Sequence, residues 1–153
     1  MTAEPEDWVN DYVGLPWKTL GRDRDGVDCW GLCCLVYAER RGIILPSHDE
    51  VGWSVEDRDA KDKGRAKRRA IEAVVIDERQ KWKQVSTKPI NSFHAMPYDL
   101  LLIEHAGLPV HVGIIVAPGW VLHVMEKMDS VCEQFPSVRH PLTKLEGIYR
   151  YAS

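Results

Sequence analysis

"VHVGIIVAPGWVLHVM", residues 110–125, reads as two apolar strands joined by a tight connection at Ala117, Pro118 and Gly119. One polar residue interrupts each arm, His111 in the first and His123 in the second. An imidazole among Val, Ile and Leu side chains needs a hydrogen-bond partner, so both rings are expected to be held in place. If the hairpin turns about Ala117, the two histidines lie directly opposite one another. If it turns about Pro118, they lie diagonally and Gly113 faces His123. In both registers they share one face, within roughly 5 to 8 Å at Cβ. Taken alone, such a pair reads equally well as two core histidines bonded to each other.

Further strands flank this hairpin. "DLLLIEH", residues 99–105, reads as the strand before it, with "AGLP" as the turn between, and "SVCEQ" and "GIYRY" read as two later strands closing the sheet. Upstream the pattern is helical. Residues 7–13 suggest a short helix with Trp8 and Tyr12 on one face, stopped by Gly14 and Pro16. Residues 30–41 suggest a helix so apolar that it sits deep in a core, with Asp28 as N-cap and Gly42 as C-terminal stop. "GRDRDGVD" between them reads as a polar loop. Helices followed by an antiparallel sheet of about five strands make an α+β fold.

The chain has 153 residues, 44% hydrophobic and 28% charged, which fits one domain with a real core. A net charge of -3 gives no electrostatic case for nucleic acid, and no apolar stretch is long enough for membrane insertion. The acidic start, "MTAEPEDWVNDYVG", shows no basic, apolar leader, and the four cysteines read as reduced thiols of a protein made in a cytoplasm. A charged, partly helical insertion at about 50–90 interrupts the domain, with Ile71, Val74, Val75 and Trp82 as its apolar positions. Its basic cluster at 63–69 is interleaved with acids and reads as a solvated face.

"GVDCWGL", residues 26–32, places Cys29 at the start of the apolar helix. A helix N-terminus and a neighbouring imidazolium both lower a thiol's pKa, so Cys29 is expected to be the one low-pKa cysteine. His111 is then the candidate base, and His123 the residue that orients it and fixes its tautomer. The Cys29 backbone N–H is available as an oxyanion donor. Cys33, Cys34 and Cys132 lack that setting and read as core thiols, while His48, His94 and His140 read as surface residues. A metal site from His105, His111, His123 and Cys132 is a weaker reading, since no tight ligand spacing is present.

A cysteine heading a buried helix, followed by two strand histidines, resembles the NlpC/P60 cysteine peptidases. "YVGLPWKTLGRDRDGVDCWGL" is similar to that family's stretch leading into Asp-Cys-x-Gly. "YDLLLIEH" is similar to its Gly-Asp-Leu strand, with Tyr98 where glycine is usual, and "HVGIIVAPGWVLHV" to its His-Val-Gly-Ile hairpin. The DCWG form and the charged insertion most resemble the branch carried by tailed bacteriophages as tail-tip assembly proteins. The resemblance implies a papain-like α+β fold without metal or cofactor. It implies hydrolysis of peptidoglycan stem peptides at D-γ-glutamyl–diaminopimelate links, with Cys29 as nucleophile, His111 as base and His123 as orienting residue. It also implies a protein made in the host cytoplasm and built into the virion tail tip beside other tail-tip or hub proteins, acting at the cell wall or periplasm.

Two positions depart from the family. Trp17 stands where many members have a tyrosine assisting the oxyanion site, and an indole N–H can donate but not accept. Trp30 stands where cell-wall members often have a serine that helps recognise the substrate's amine. With Asp28, these form the expected oxyanion and substrate-binding set. Both departures also suit a structural tail-hub protein with weak or no peptidase activity, and an acyl- or thioester-transfer enzyme with the same triad is a further reading.

Overall fold

The computed structural model describes residues 4–48, 77–78, 80–86, 95–105, 108–134 and 143–152. Ile71, Val74, Val75, His94 and His140 lie outside them, as does the side chain of His105. In chain order, a 3₁₀ helix (Asp7–Tyr12) precedes β1 (Arg22–Asp23), β2 (Gly26–Val27) and α1 (Cys29–Val36). Then come β3 (Trp82–Ser86), β4 (Leu100–His105), β5 (Leu108–Ala117), β6 (Trp120–His123), β7 (Val131–Gln134) and β8 (Thr143–Tyr151). The last six strands form one antiparallel sheet in the order β3-β8-β4-β5-β6-β7.

The expected α+β architecture is present, with six strands in place of about five. β3 is the addition: "WKQVS" alternates only briefly and follows a charged run, too little pattern to mark a strand. "GRDRDGVD" is more than a loop, because β1 and β2 pair within it as a two-stranded ribbon. Leu108 and Pro109 belong to β5 instead of a turn. The helix expected over 30–41 is α-helical to Val36 and ends in a π turn, Tyr37–Arg41, closed by Gly42 at φ +64°.

Ile114 pairs with Leu122 and Ala117 with Trp120, so the central hairpin turns about Pro118. Proline fixes the first φ of that turn, and Gly119 supplies the positive second one, +79°. α1 lays Leu32, Cys33 and Val36 against Leu102, Val112, Ile114 and Leu122, all buried in one cluster. A second cluster of Leu101, Ile103, Ile115, Val121 and Ile148 follows the alternate strand positions. Leu32, Ile114 and Leu122 are each at most 1% exposed, worth roughly 2 kcal/mol apiece.

Ahead of β4, Tyr98 holds φ +75°, a conformation that costs a non-glycine residue of order 1–3 kcal/mol. Its surroundings hold it there. Its ring stacks on Trp8 at 5.3 Å, Arg41 lies over it, its N–H donates to Ile115 O, and the Tyr37 hydroxyl donates to its carbonyl.

Candidate active site

Asp28 fixes the start of α1. Its Oδ1 accepts from the Gly31 N–H at 2.7 Å and from Arg22 Nη1 at 2.8 Å, and its Oδ2 accepts from the Leu20 N–H at 3.1 Å. The side chain is fully buried, so Asp28 is a helix cap tied to Arg22 and presents no face to a substrate. Arg22 also donates to the carbonyls of Gly21 and Ser47, which knits the ribbon to the segment after the helix. The glycine of the DCWG motif has a steric reason. A Cβ on Gly31 would sit 1.9 Å from the Gly21 carbonyl oxygen.

Trp17 forms a parallel bridge with Val27, flanked by Val27 N–H to Pro16 O and Lys18 N–H to Val27 O. The backbone thus carries a residue twelve positions away to within two residues of Cys29. Trp17 is half-buried against the core. Trp30 is 3% exposed and its indole N–H donates to Pro46 O at 2.8 Å, which directs it into the core and not towards a substrate.

Cys29 is 3% exposed. The backbone N–H groups of Val112 and Trp30 face its sulfur and favour the thiolate slightly, which puts the thiol near the peptide joining His111 to Val112. The low pKa expected for it is not what this environment gives. Burial pushes the thiol well above its ordinary value, and the adjacent Asp28 carboxylate adds to the rise. Burial also raises Cys33, takes Cys34 to about 12 and raises Cys132. Of the expected core thiols only Cys33 is fully buried; Cys34 and Cys132 are partly buried.

The two strand histidines meet. His111 Nε2 lies 2.9 Å from His123 Nδ1, and the rings sit edge to face with centroids 5.1 Å apart. The diagonal register makes this possible, and Gly113 keeps the space open. A Cβ there would fall 2.7 Å from Val121 Cγ2 and 3.2 Å from His123 Cβ. Burial lowers His111 to about 3, helped by its neighbouring ring, and lowers His123 despite a carboxylate partner. Both shifts favour the neutral imidazole, as the shift at Cys29 favours the neutral thiol.

That carboxylate is Glu133, whose Oε1 lies 2.7 Å from His123 Nε2. Sequence reasoning missed it, because a glutamate on a short late strand reads as a solvent-facing residue. Pairing of His123 with Val131 puts Glu133 two positions along the neighbouring strand, in diagonal reach. His48, read as a surface residue, is partly buried and lies 3.0 Å from Glu78, which also takes Lys81 at 3.1 Å. His48, Asp77 and Glu78 are the one potential metal-ligand grouping among the described residues, and His111, His123 and Cys132 do not form one; the His105 side chain of the expected set lies outside those described.

Comparison with known proteins places these features in context. The NlpC/P60 family profile matches residues 14–144. Curated protein sequences give no match. The NlpC/P60 domain of the peptidoglycan hydrolase SagA aligns over 95% of this chain and 92% of its own length, with TM-score 0.53 and 17% identity. An NlpC/P60 family protein from Bacillus cereus covers all of this chain with TM-score 0.58 and 18% identity, the match spanning 42% of its length. NlpC1 from Trichomonas vaginalis aligns over 94% of this chain and 41% of its own, with TM-score 0.55 and 18% identity. At these identities the structures speak for the fold, and the profile match across most of the sequence shows that the chain belongs to the NlpC/P60 family.

Proposed function

We propose that this chain is a cysteine hydrolase of peptide bonds in bacterial peptidoglycan, with Cys29 as nucleophile, His111 as general base and His123 as its orienting partner. The observation that carries the reading is the 2.9 Å bond between His111 and His123, with His111 on the strand against which the Cys29 helix packs. In the reaction, the Cys29 S–H bond breaks, its proton passes to His111, and the sulfur electron pair attacks the scissile carbonyl carbon. The Cys29 N–H, first in the helix, and the Trp17 indole N–H are the donors assigned to the oxyanion. His111 then returns the proton to the leaving amine, and a water that it deprotonates hydrolyses the thioester. With burial raising the thiol and lowering the imidazole, proton transfer accompanies attack instead of preceding it.

The substrate class is supported by the likeness to a peptidoglycan hydrolase domain. Within it we assign the D-γ-glutamyl–diaminopimelate bond, and a place in a phage tail tip that opens the wall during DNA delivery. The DCWG motif and the charged insertion support that assignment. One observation favours the second reading, a tail-hub protein that keeps the fold for assembly: Cys29 and His111 are only 3% and 9% exposed. Incubating purified protein with peptidoglycan and identifying released fragments by mass spectrometry separates the two. The peptidase reading expects soluble peptides from wild type and none from Cys29→Ala. No release from either variant would overturn it in favour of assembly.

A further inference from the structure

We propose that Glu133 is a positioning residue that sets the tautomer of both histidines, and thereby leaves His111 with a lone pair for the Cys29 proton. The inference rests on the peptidase reading for its consequence, but its geometry stands on its own. A carboxylate oxygen accepts hydrogen bonds and has none to donate. At 2.7 Å from Glu133 Oε1, His123 Nε2 must therefore carry the hydrogen. In a neutral imidazole the other nitrogen is then bare, so His123 Nδ1 is an acceptor. Its partner among the described residues is His111 Nε2 at 2.9 Å, which must donate. His111 Nδ1 is left with the lone pair.

The chain of inference works equally in reverse, which gives Glu133 its importance. A donor at position 133 would make His123 Nε2 an acceptor and put the hydrogen on His123 Nδ1. That hydrogen would point at His111 Nε2 and force it to accept. His111 Nδ1 would then already be protonated, and could take nothing from the thiol. Two rings in series thus transmit the choice made at the sheet edge to the nucleophile. During attack the S–H proton goes to His111 Nδ1, and the resulting imidazolium keeps its Nε2–H on His123. Glu133 is never protonated in this scheme and never touches substrate. Its side chain is 36% exposed while His123 is 1% exposed, so it links a buried base to the surface.

The competing explanation is a simple ion pair between a protonated His123 and Glu133. Long-range 1H–15N correlation spectra of the full chain at pH 7, labelled at histidine, separate the two without requiring turnover. Expected for wild type is one bare and one protonated nitrogen in each ring, with Nε2–H in both. A doubly protonated His123, or Nδ1–H in either ring, would overturn the proposal. Two substitutions extend the test. Glu133→Gln still offers an oxygen, so it should keep the tautomers and hold kcat within about tenfold. Glu133→Lys can only donate, so it should move both rings to Nδ1–H and lower kcat by roughly 100-fold or more with little change in KM. Loss of activity in Glu133→Lys with unchanged tautomers would mean that charge, not tautomer, is what matters, and would refute the idea. If Glu133→Lys fails to fold, the wild-type spectrum and Glu133→Gln still decide it. A wild type that shows these tautomers but releases nothing from peptidoglycan would sink the peptidase reading alone.

Discussion

The two halves of the site are built differently. The nucleophile half hangs mostly on backbone: a helix start, a capping carboxylate that takes two backbone N–H groups and one guanidinium, a parallel bridge and a carbonyl pressed against Gly31. The base half hangs on side chains, with His111, His123 and Glu133 in series across three neighbouring strands. Backbone contacts fix a position and leave a group little room to change state. A series of side chains fixes position less firmly, but can pass a proton preference along its length. Rigidity sits at the thiol, and the chemical setting sits with the histidines.

The largest effect expected breaks the comparison at its centre. His111→Ala removes the proton acceptor and should lower kcat by roughly 1,000-fold or more, measured on a soluble stem-peptide substrate. His123→Asn should retain a measurable fraction, since an amide oxygen can still accept from His111 Nε2. Reversed severities would exchange the two roles. Next comes Asp28→Ala, which leaves the Arg22 guanidinium without its carboxylate and α1 without its cap. It should cost about 3 kcal/mol in chemical denaturation. A loss below 1 kcal/mol would show that the nucleophile half is held by its backbone bonds alone.

Acid should then bear on the base half. His111 has a folded pKa of about 3, while an unfolded histidine lies near 6.5. Between those values the unfolded chain binds a proton that the folded chain refuses, so stability falls as pH drops from about 6.5 towards 3. By linkage the loss between pH 7 and 5 is about 2 kcal/mol. His111→Gln should flatten this slope in denaturant titrations, and an unchanged slope would assign the acid sensitivity to other groups. Smallest is Gly113→Ala, where the Val121 side chain and His123 Cβ must give way. Overpacking of this kind costs about 1–2 kcal/mol, and kcat should fall more than the Tm suggests, because the displaced ring is His123.

How much of this was legible in the sequence follows the same division. Asp28 as cap, Gly42 as stop and a hairpin centred on Ala117 or Pro118 were readable because local rules decide them, and the structure selects Pro118. The histidine pair was readable because either register of so short a hairpin puts both rings on one face. Glu133 was not, since the seven residues between His123 and Val131 leave that register open. The same limit hid β3, whose partner lies more than fifty residues away in β8. The elevated Cys29 pKa was missed for a different reason. A helix start and a histidine are local signals, whereas the degree of burial belongs to the whole fold.

The place of β8 has a consequence for how the chain is made. It is the last of the six strands in sequence, yet it lies between β3 and β4 and pairs with both. Until residues 143–151 leave the ribosome, β4 has a bare edge on that side and β3 has no neighbour in the sheet. The histidine hairpin and its neighbours can therefore pair early, while the whole sheet waits for its final segment. A nascent chain stalled before Thr143 would present unpaired strand edges, which makes it a ready substrate for chaperones or for aggregation.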